Sequence, residues 1–160
     1  MATRLSLLLL GLILCWSGLA VASDRQPPAA SAEALRLARD SVGRLGLKQL
    51  SVRERSHGRV RVRAEILFSG QVVARLRVNP QTGDFLTEEE RVEPSGAPLD
   101  PPALRAAVER SLRQLEVGDW TWPTEHGRAW GVSLKHRGRV VGTLKVDPKR
   151  GLLPRENDED

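Results

Sequence analysis

The sequence contains few of the residues that build disulfide scaffolds and aromatic ligand pockets. Among its 160 residues are one Cys, one Met and no Tyr, and aromatic side chains make up 4% of the chain. Cys15 lies in an N-terminal apolar run that we expect to be removed. The mature chain then has neither a thiol nucleophile nor a Cys-ligated metal, which removes several classes of enzyme.

The N-terminus has the three parts of a secretory signal peptide. Arg4 precedes the apolar run Leu5–Trp16, and Ala20–Ala22 supplies the small residues of a cleavage site. We therefore predict a signal peptide at 1–22, cleaved before Ser23, and a mature protein that is periplasmic or secreted. No second long apolar run follows, so we expect no transmembrane segment in the mature chain.

The rest of the chain contains an internal repeat. GQVVARLRVNPQTGDFL (Gly70–Leu86) matches GRVVGTLKVDPKRGLLP (Gly138–Pro154) at an offset of 68 residues, and segments upstream match at an offset of 69. One inserted residue reconciles the two offsets. We name 31–87 copy one and 99–155 copy two, and we predict one domain from each, joined by an acidic linker at 88–98.

Two further segments are expected to lie outside the packed core. Residues 23–30 are rich in Pro, Ala and Ser and predict a flexible lead-in. Residues 156–160, ENDED, predict a solvated acidic tail. Without Arg4 and the four acids of this tail, the chain has 24 basic and 16 acidic residues, a formal charge of +8 against +5 for the whole sequence.

Each copy opens with a predicted helix. In copy one, apolar residues recur at steps of three and four, with Ser31 as N-cap and Gly46 as the end of the helix. In copy two, Asp100 is the predicted N-cap, Pro101-Pro102 lies in the first turn, and Gly118 follows the end. The apolar positions are Leu35, Ala38, Val42 and Leu45 in copy one, and Leu104, Ala107, Val108, Leu112 and Leu115 in copy two.

Strands follow each helix. A short strand, 50–55 or 120–124, precedes two long strands in which apolar and polar residues alternate. Ser69-Gly70 and Arg137-Gly138 predict tight turns between the long strands, and turns containing Pro and Gly follow them. The predicted buried face consists of Val60, Val62, Ala64, Ile66, Phe68, Val72, Ala74, Leu76 and Val78 in copy one, and of Trp130, Val132, Leu134, Val140, Leu144 and Val146 in copy two. This pattern predicts an α+β fold of two tandem copies, each with one helix packed on a small antiparallel sheet.

Three Trp residues cluster in copy two. Trp120, Trp122 and Trp130 align with apolar positions of copy one. Their phase predicts that all three are core residues, because large aromatic side chains dominate small cores. Since they fall on the face opposite the Arg residues, they form no base-stacking platform, and we expect no nucleic-acid partner.

The order of elements and the endings of the two copies resemble a known family. The endings VNPQTGDFL (Val78–Leu86) and VDPKRGLLP (Val146–Pro154) are similar to that of the PepSY domain, twice in tandem over nearly all of the mature chain. PepSY domains are small α+β modules of exported or membrane-attached bacterial proteins, with a cystatin-like fold, and they also occur in the propeptides of thermolysin-like metalloproteases. The resemblance implies modulation of a peptidase and no catalytic residues. Copy two departs from the family pattern at Arg150 and Leu152.

The sequence offers little for catalysis or metal binding. His57 and His126 occupy equivalent turns of the two copies, and Glu125 precedes His126, but adjacent residues of an extended chain point apart. No spacing matches a metal-ligand cluster, a nucleophile elbow or a phosphate loop. We therefore expect that the protein is not an enzyme and that it has no catalytic, cofactor-binding or metal-binding residues.

A basic face is the candidate binding site. On the long strands of copy one, basic side chains alternate with the apolar ones at Arg59, Arg61, Arg63, Arg75 and Arg77. The planar guanidinium group binds carboxylates, phosphates and sulfates, which makes this a candidate anion-binding face. The alternative is an ordinary solvated face, since 21 of the 25 basic residues in the chain are Arg. The corresponding face of copy two, Ala129, Gly131, Ser133, Val141 and Thr143, is nearly uncharged and is expected to pack against the other copy or a partner.

Two functional hypotheses follow. The first is an exported, non-enzymatic PepSY-like protein that binds an envelope or secreted peptidase and modulates or inhibits it, by steric or edge-strand docking. The second is a periplasmic ligand-binding or sensory accessory protein that holds an anionic envelope polymer or a lipid headgroup on the Arg face. A salt series distinguishes the two hypotheses: binding of an anion to the Arg face is expected to weaken steeply as ionic strength rises, because salt screens charge interactions.

Overall fold

The computed structural model describes residues 29–55, 59–90, 92, 96–124 and 127–155, with the backbone alone at 54, 55 and 59. The predicted signal peptide, nearly all of the predicted lead-in and the acidic tail lie outside these ranges, as do His57 and His126. Within them, neither helix combines the length and the apolar character that crossing a membrane requires.

The described residues form two helices and eight strands. In copy one, α1 (Ala29–Val42) precedes β1 (Gly46–Arg55), β2 (Arg59–Phe68), β3 (Gln71–Val78) and β4 (Phe85–Leu86). In copy two, α2 (Pro101–Leu112) precedes β5 (Leu115–Pro123), β6 (Trp130–His136), β7 (Arg139–Asp147) and β8 (Gly151–Leu152). The strands form two antiparallel sheets in chain order, the first sheet from β1 to β4 and the second sheet from β5 to β8. The fold is therefore α+β, as predicted.

The two helices differ in how they begin. Asp100 is the N-cap of α2, as predicted, and its Oδ1 accepts a hydrogen bond from the Ala103 N–H at 2.8 Å. The prediction that Ser31 caps the first helix is wrong. The helix already begins at Ala29, and Ser31 lies inside it with its side chain buried.

The outer strands β1 and β5 begin earlier than predicted. They start at Gly46 and Leu115, so Gly46 and Gly118, which were expected to end the helices, belong to strands. In β5 the pairing shifts between Val117 and Thr121, where β5 takes four residue steps while β6 takes two. This bulge changes which side chains of β5 face the core.

The predicted turns are confirmed by their backbone angles. The φ values are 49° and 81° in Ser69-Gly70, and 50° and 77° in Arg137-Gly138. Positive φ at both positions is typical of the two-residue turns that join antiparallel strands. Gly83 and Gly151, in the turns that follow, also have positive φ, at 75° and 87°.

The contacts of each helix are mainly with the sheet of the other copy. α1 contacts β5, β6, β7 and β8, whereas α2 contacts β1. Gly83, in the turn before β4, lies against α2, since a Cβ there would come within 3.0 Å of the backbone carbonyl carbon of Ala107. The expected packing of each helix on the sheet of its own copy is therefore not confirmed, and we refer to the observed arrangement as the helix exchange.

One hydrophobic core unites the two copies and both helices. Of the predicted strand positions, Val62, Ala64, Ile66, Ala74, Leu76, Val78, Val132, Leu134, Leu144 and Val146 are buried, while Val60, Phe68, Val72 and Trp130 are partly buried. The prediction for Val140 is wrong: it is 47% exposed, and Val141 is buried in its place. A shift of register between Leu134 and Lys135 changes the alternation at that point.

The helices contribute unequal faces to this core. The buried side chains of α1 are Ser31, Ala34, Ala38 and Ser41, while Leu35, Val42 and Leu45 are partly buried against the core. The buried side chains of α2 are Leu104, Ala107, Val108, Ser111 and Leu112, and Leu115 is buried in β5. The buried face of α1 is therefore made of small side chains, whereas that of α2 includes three large apolar ones.

Two of the three Trp residues predicted to be core residues lie on the surface. Trp120 is 74% exposed and Trp122 is 42% exposed, while Trp130 is partly buried and packs against the core. Trp120 lies within the bulge of β5, which shifts the alternation of that strand. Trp122 pairs with Gly131, and its indole ring lies directly against the α-carbon of that glycine.

Candidate anion-binding groove

The two sheets meet along β3 and β7, and a groove of about 510 Å³ opens there. Its lining residues are Arg61, Arg63, Val73, Arg75, Arg77, Leu86, Glu88, Val141, Gly142, Thr143, Lys145 and Arg155. We name this set the basic groove. Six of the lining side chains are cationic, and Glu88 is the one acidic residue among the described residues that line it.

Four of the five predicted Arg residues line the basic groove. Arg61 and Arg63 come from β2, and Arg75 and Arg77 come from β3. Alternation along each strand places them opposite the buried core positions, because successive side chains of a strand point to opposite faces. The side chain of Arg59, the fifth predicted residue, lies outside the described residues.

Glu65 supplies a counter-charge that the sequence analysis did not include. Its carboxylate lies 3.2 Å from Nε of Arg75 and 3.3 Å from Nζ of Lys48. It also accepts a hydrogen bond from the Gln49 side chain at 3.1 Å. The positive field of Arg75 is therefore partly neutralised within the first sheet. The signal was present in the sequence, since Glu65 follows Arg63 at the same two-residue spacing.

Arg77 holds the backbone that follows β4. Its Nη1 donates to the carbonyl oxygens of Thr87, at 2.9 Å, and Glu88, and its Nη2 donates to that of Glu90 at 2.8 Å. Its buried Nε makes no hydrogen bond within the described ranges. Because three carbonyl oxygens engage its guanidinium group, Arg77 fixes the start of the linker against the first sheet.

Copy two completes the basic groove with residues that the sequence analysis did not assign to a site. Lys145 comes from β7, and Arg155 follows β8 and donates its backbone N–H to the carbonyl oxygen of Val72 at 2.8 Å. Of the predicted uncharged face of copy two, Val141 and Thr143 line the groove, and Ala129, Gly131 and Ser133 are buried. Strand β7 contacts β3 beside the groove, where Gly142 lies against Leu76, whereas Gly131 of the predicted face is covered by Trp122 of copy two itself.

The groove combines cationic side chains with a buried apolar lining. Val73, Leu86 and Val141 are each at most 5% exposed and lie among the basic residues. Apolar surroundings lower the effective dielectric constant, so a charge held there interacts more strongly than one in open water. Chemically, the arrangement is suited to an anionic ligand with some apolar character or an extended backbone.

Two ion pairs connect copy two to the turn before β4 and to the linker. Arg137 Nη1 lies 3.1 Å from an oxygen of Asp84, and Arg139 Nη1 lies 2.9 Å from an oxygen of Glu90. The hydrogen bond from Arg139 lowers the pKa of the Glu90 carboxyl, although partial burial opposes this. Because both Arg side chains are more than half exposed, each pair contributes at most about 1 kcal/mol to stability.

His136 is a buried imidazole at the junction of the two copies. It has no exposed surface, and neither ring nitrogen has a hydrogen-bond partner within the described residues. Its ring meets Phe85 edge to face, with centroids 5.6 Å apart. Burial lowers the pKa of His136, nearby Asp84 partly offsets this, and Arg137 lowers it further. The ring packs in the core and does not line the groove.

Within the described ranges, no group of three or more His, Cys, Asp or Glu side chains is placed to hold a metal ion. No family model, no curated protein and no solved structure matches this chain. The resemblance to the PepSY family therefore stays a prediction from the sequence.

Proposed function

We propose that this chain is an exported, non-enzymatic binding protein that holds an anionic partner in the basic groove. The observation that carries the proposal is the convergence of six cationic side chains, from both copies, on one groove with a buried apolar lining. Export is proposed from the N-terminal signal pattern.

The spacing of the basic residues favours an extended partner over a small anion. Arg61 and Arg63 are alternate residues of β2, so their α-carbons lie about 7 Å apart. A single carboxylate or phosphate is engaged most strongly by one bidentate guanidinium group, and two groups at this spacing suit successive charges of a longer ligand. A polymer with repeated carboxylates or phosphates, or a layer of lipid headgroups, offers such a series.

The test is retention on an anionic polymer. The double variant Arg61→Ser, Arg63→Ser is expected to lose at least about tenfold in affinity for immobilised dextran sulfate, because each charged hydrogen bond contributes about 1.5 kcal/mol or more. Binding of the unmodified protein is expected to fall steeply with ionic strength. Both quantities are measured by biosensor titration across a salt series.

The matched control removes two cations away from the groove. Arg110 and Arg113 are exposed near the end of α2, and their change to Ser alters the net charge by the same amount. Equal loss of affinity in the control and in the groove variant would show that only net charge matters and would refute the proposed site.

A second candidate is the modulation of an envelope or secreted peptidase, as the PepSY resemblance implies. In support of a duplicated PepSY-like unit, both copies share the same order of elements and a register shift at the equivalent step of their second strand. The observation that favours docking is the outer strand β5, which pairs only with β6 among the described strands and carries the exposed Trp120 and Trp122. Unpaired strand edges accept extended peptides, and Trp is enriched at protein interfaces.

This second candidate is tested by inhibition. The purified protein at micromolar concentration is expected to slow at least one protease of the envelope from which it comes. The double variant Trp120→Ser, Trp122→Ser is expected to lose that effect, while Arg61→Ser, Arg63→Ser retains it. Inactivity against all envelope and secreted proteases of that source would exclude this function and leave the anion-binding proposal intact.

A further inference from the structure

Arg155, the residue that precedes the acidic tail (156–160), lies in the wall of the basic groove. It is fixed there by its backbone hydrogen bond to Val72 of β3. The next residue along the chain is Glu156. A segment with four acidic residues in five is therefore attached directly to the basic groove.

We propose that the acidic tail occupies the basic groove of its own chain, and that the ligand it displaces is an acidic peptide segment. This inference rests on the proposed function of the groove and assigns it a class of partner and an internal competitor. The tail then mimics the ligand. An acidic peptide binds to the groove only when it displaces the tail.

Charge complementarity supports this assignment. The tail has four carboxylates in five residues, and the groove has six cations and one acid. Strand β8 and the residues after it bring the tail to this position, since Leu153 donates its N–H to the carbonyl oxygen of Lys145, a residue that also lines the groove. The last described residues thus already run along the groove.

The length of the tail is sufficient. Five residues span up to about 16–18 Å when extended. The tail starts beside Val72, whereas Arg63 pairs with Arg77, five residues further along β3, so the tail has to run about 17 Å along the strand to reach the level of Arg63. An extended tail spans that distance and passes the level of Arg75, which pairs with Glu65. Alternate side chains of an extended acidic segment repeat at about 7 Å, which is also the spacing of Arg75 and Arg77 along β3.

The experiment compares the unmodified protein with a tail-neutral variant of the same length. The variant carries Glu156→Gln, Asp158→Asn, Glu159→Gln and Asp160→Asn. The probe is a fluorescently labelled octaglutamate peptide, and its binding is followed by fluorescence anisotropy at low salt. A tethered competitor acts at an effective concentration of about 1 mM, so the variant is expected to bind the probe about tenfold more tightly. High salt is expected to abolish the difference.

A charge-matched control separates competition from a change in net charge. The control converts four acidic residues of the helices and of β5, none of which lines the groove, to their amides: Glu33, Asp40, Glu109 and Glu116. It raises the net charge by four, as the tail-neutral variant does. This control is expected to improve binding by less than twofold. An improvement equal to that of the tail-neutral variant would overturn the proposal.

The remaining outcomes distinguish the tail from the groove. If the unmodified protein and the tail-neutral variant bind octaglutamate equally, the tail proposal is wrong and the groove proposal stands. If neither binds octaglutamate or dextran sulfate, the groove proposal fails as well. If both bind vesicles containing phosphatidylglycerol but not octaglutamate, the groove takes a lipid surface and the peptide assignment is wrong. If Arg61→Ser, Arg63→Ser leaves the tenfold difference unchanged, the tail acts elsewhere.

Discussion

Copy one and copy two build the same kind of sheet but use its outer face differently. Where β2 carries Arg63, the aligned residue of β6 is Gly131, which is covered by the ring of Trp122. Gly83 contacts α2, whereas a Cβ added to the aligned Gly151 would have no neighbouring atom of the described residues within 4 Å. The two copies share their backbone fold because they share the alternating strand pattern and the turn residues. They differ in contacts and charge because individual aligned positions carry different side chains or different neighbours.

The largest expected effect separates the two turn glycines. Gly83→Ala is expected to lower the free energy of unfolding by about 3 kcal/mol, from the cost of positive φ and the overlap with Ala107. Gly151→Ala, at a similar positive φ but with no neighbouring atoms within 4 Å of the added Cβ, is expected to cost only about 1 kcal/mol. Urea unfolding of both variants measures the difference. Equal losses would mean that α2 does not pack on the turn of the first sheet.

The next effect distinguishes the Trp residues of copy two. Trp122→Ala is expected to cost about 2 kcal/mol, because the side chain is more than half buried and its ring covers Gly131. Trp120→Ala is expected to change stability by less than about 0.5 kcal/mol, since its side chain is largely solvated. Thermal unfolding of both variants checks this order. A larger loss for Trp120 would contradict the placement of the bulge in β5.

The smallest effect concerns His136, which aligns with Phe68 of copy one. Its pKa is lowered by burial, so below about pH 6.5 the unfolded chain takes up a proton that the native ring does not. Stability is therefore present above pH 6.5 and falls with acidification, by at most about 1.4 kcal/mol per pH unit. His136→Phe, which gives copy two the residue of copy one, is expected to gain about 1 kcal/mol relative to the unmodified protein between pH 7 and pH 5.5. Denaturant melts across this range measure it, and an unchanged difference would show that the pKa of His136 is not lowered in the folded protein.

The sequence was informative wherever one strand or one turn carries its own signal. Alternating residues predicted β2, β3, β6 and β7, and the cap at Asp100 predicted the start of α2. Predictions failed where a bulge changed the alternation. Trp120 lies within the bulge of β5, and Val140 pairs with Lys135 next to the register shift of β6. Both side chains are exposed. A bulge depends on how two strands pair, and a pattern within one strand does not reveal it.

The site was predictable in part for the same reason. Arg61, Arg63, Arg75 and Arg77 share one face because of their two-residue spacing, which is a local property. Lys145 and Arg155 join them only because β7 lies beside β3, and this arrangement follows from long-range packing. The binding of Arg77 to three carbonyl oxygens also depends on where the chain after β4 runs.

The helix exchange has a consequence for the order of folding. About 70 residues separate the end of α1 from the start of β5, the first strand it contacts, so these contacts are of high sequence separation and close slowly. During synthesis, α1 is made before the second sheet on which it packs, and the first sheet is made before α2. We therefore expect copy one, when it is produced alone, to lack the packing partners of both its helix and its sheet, which the duplicated chain supplies within one polypeptide.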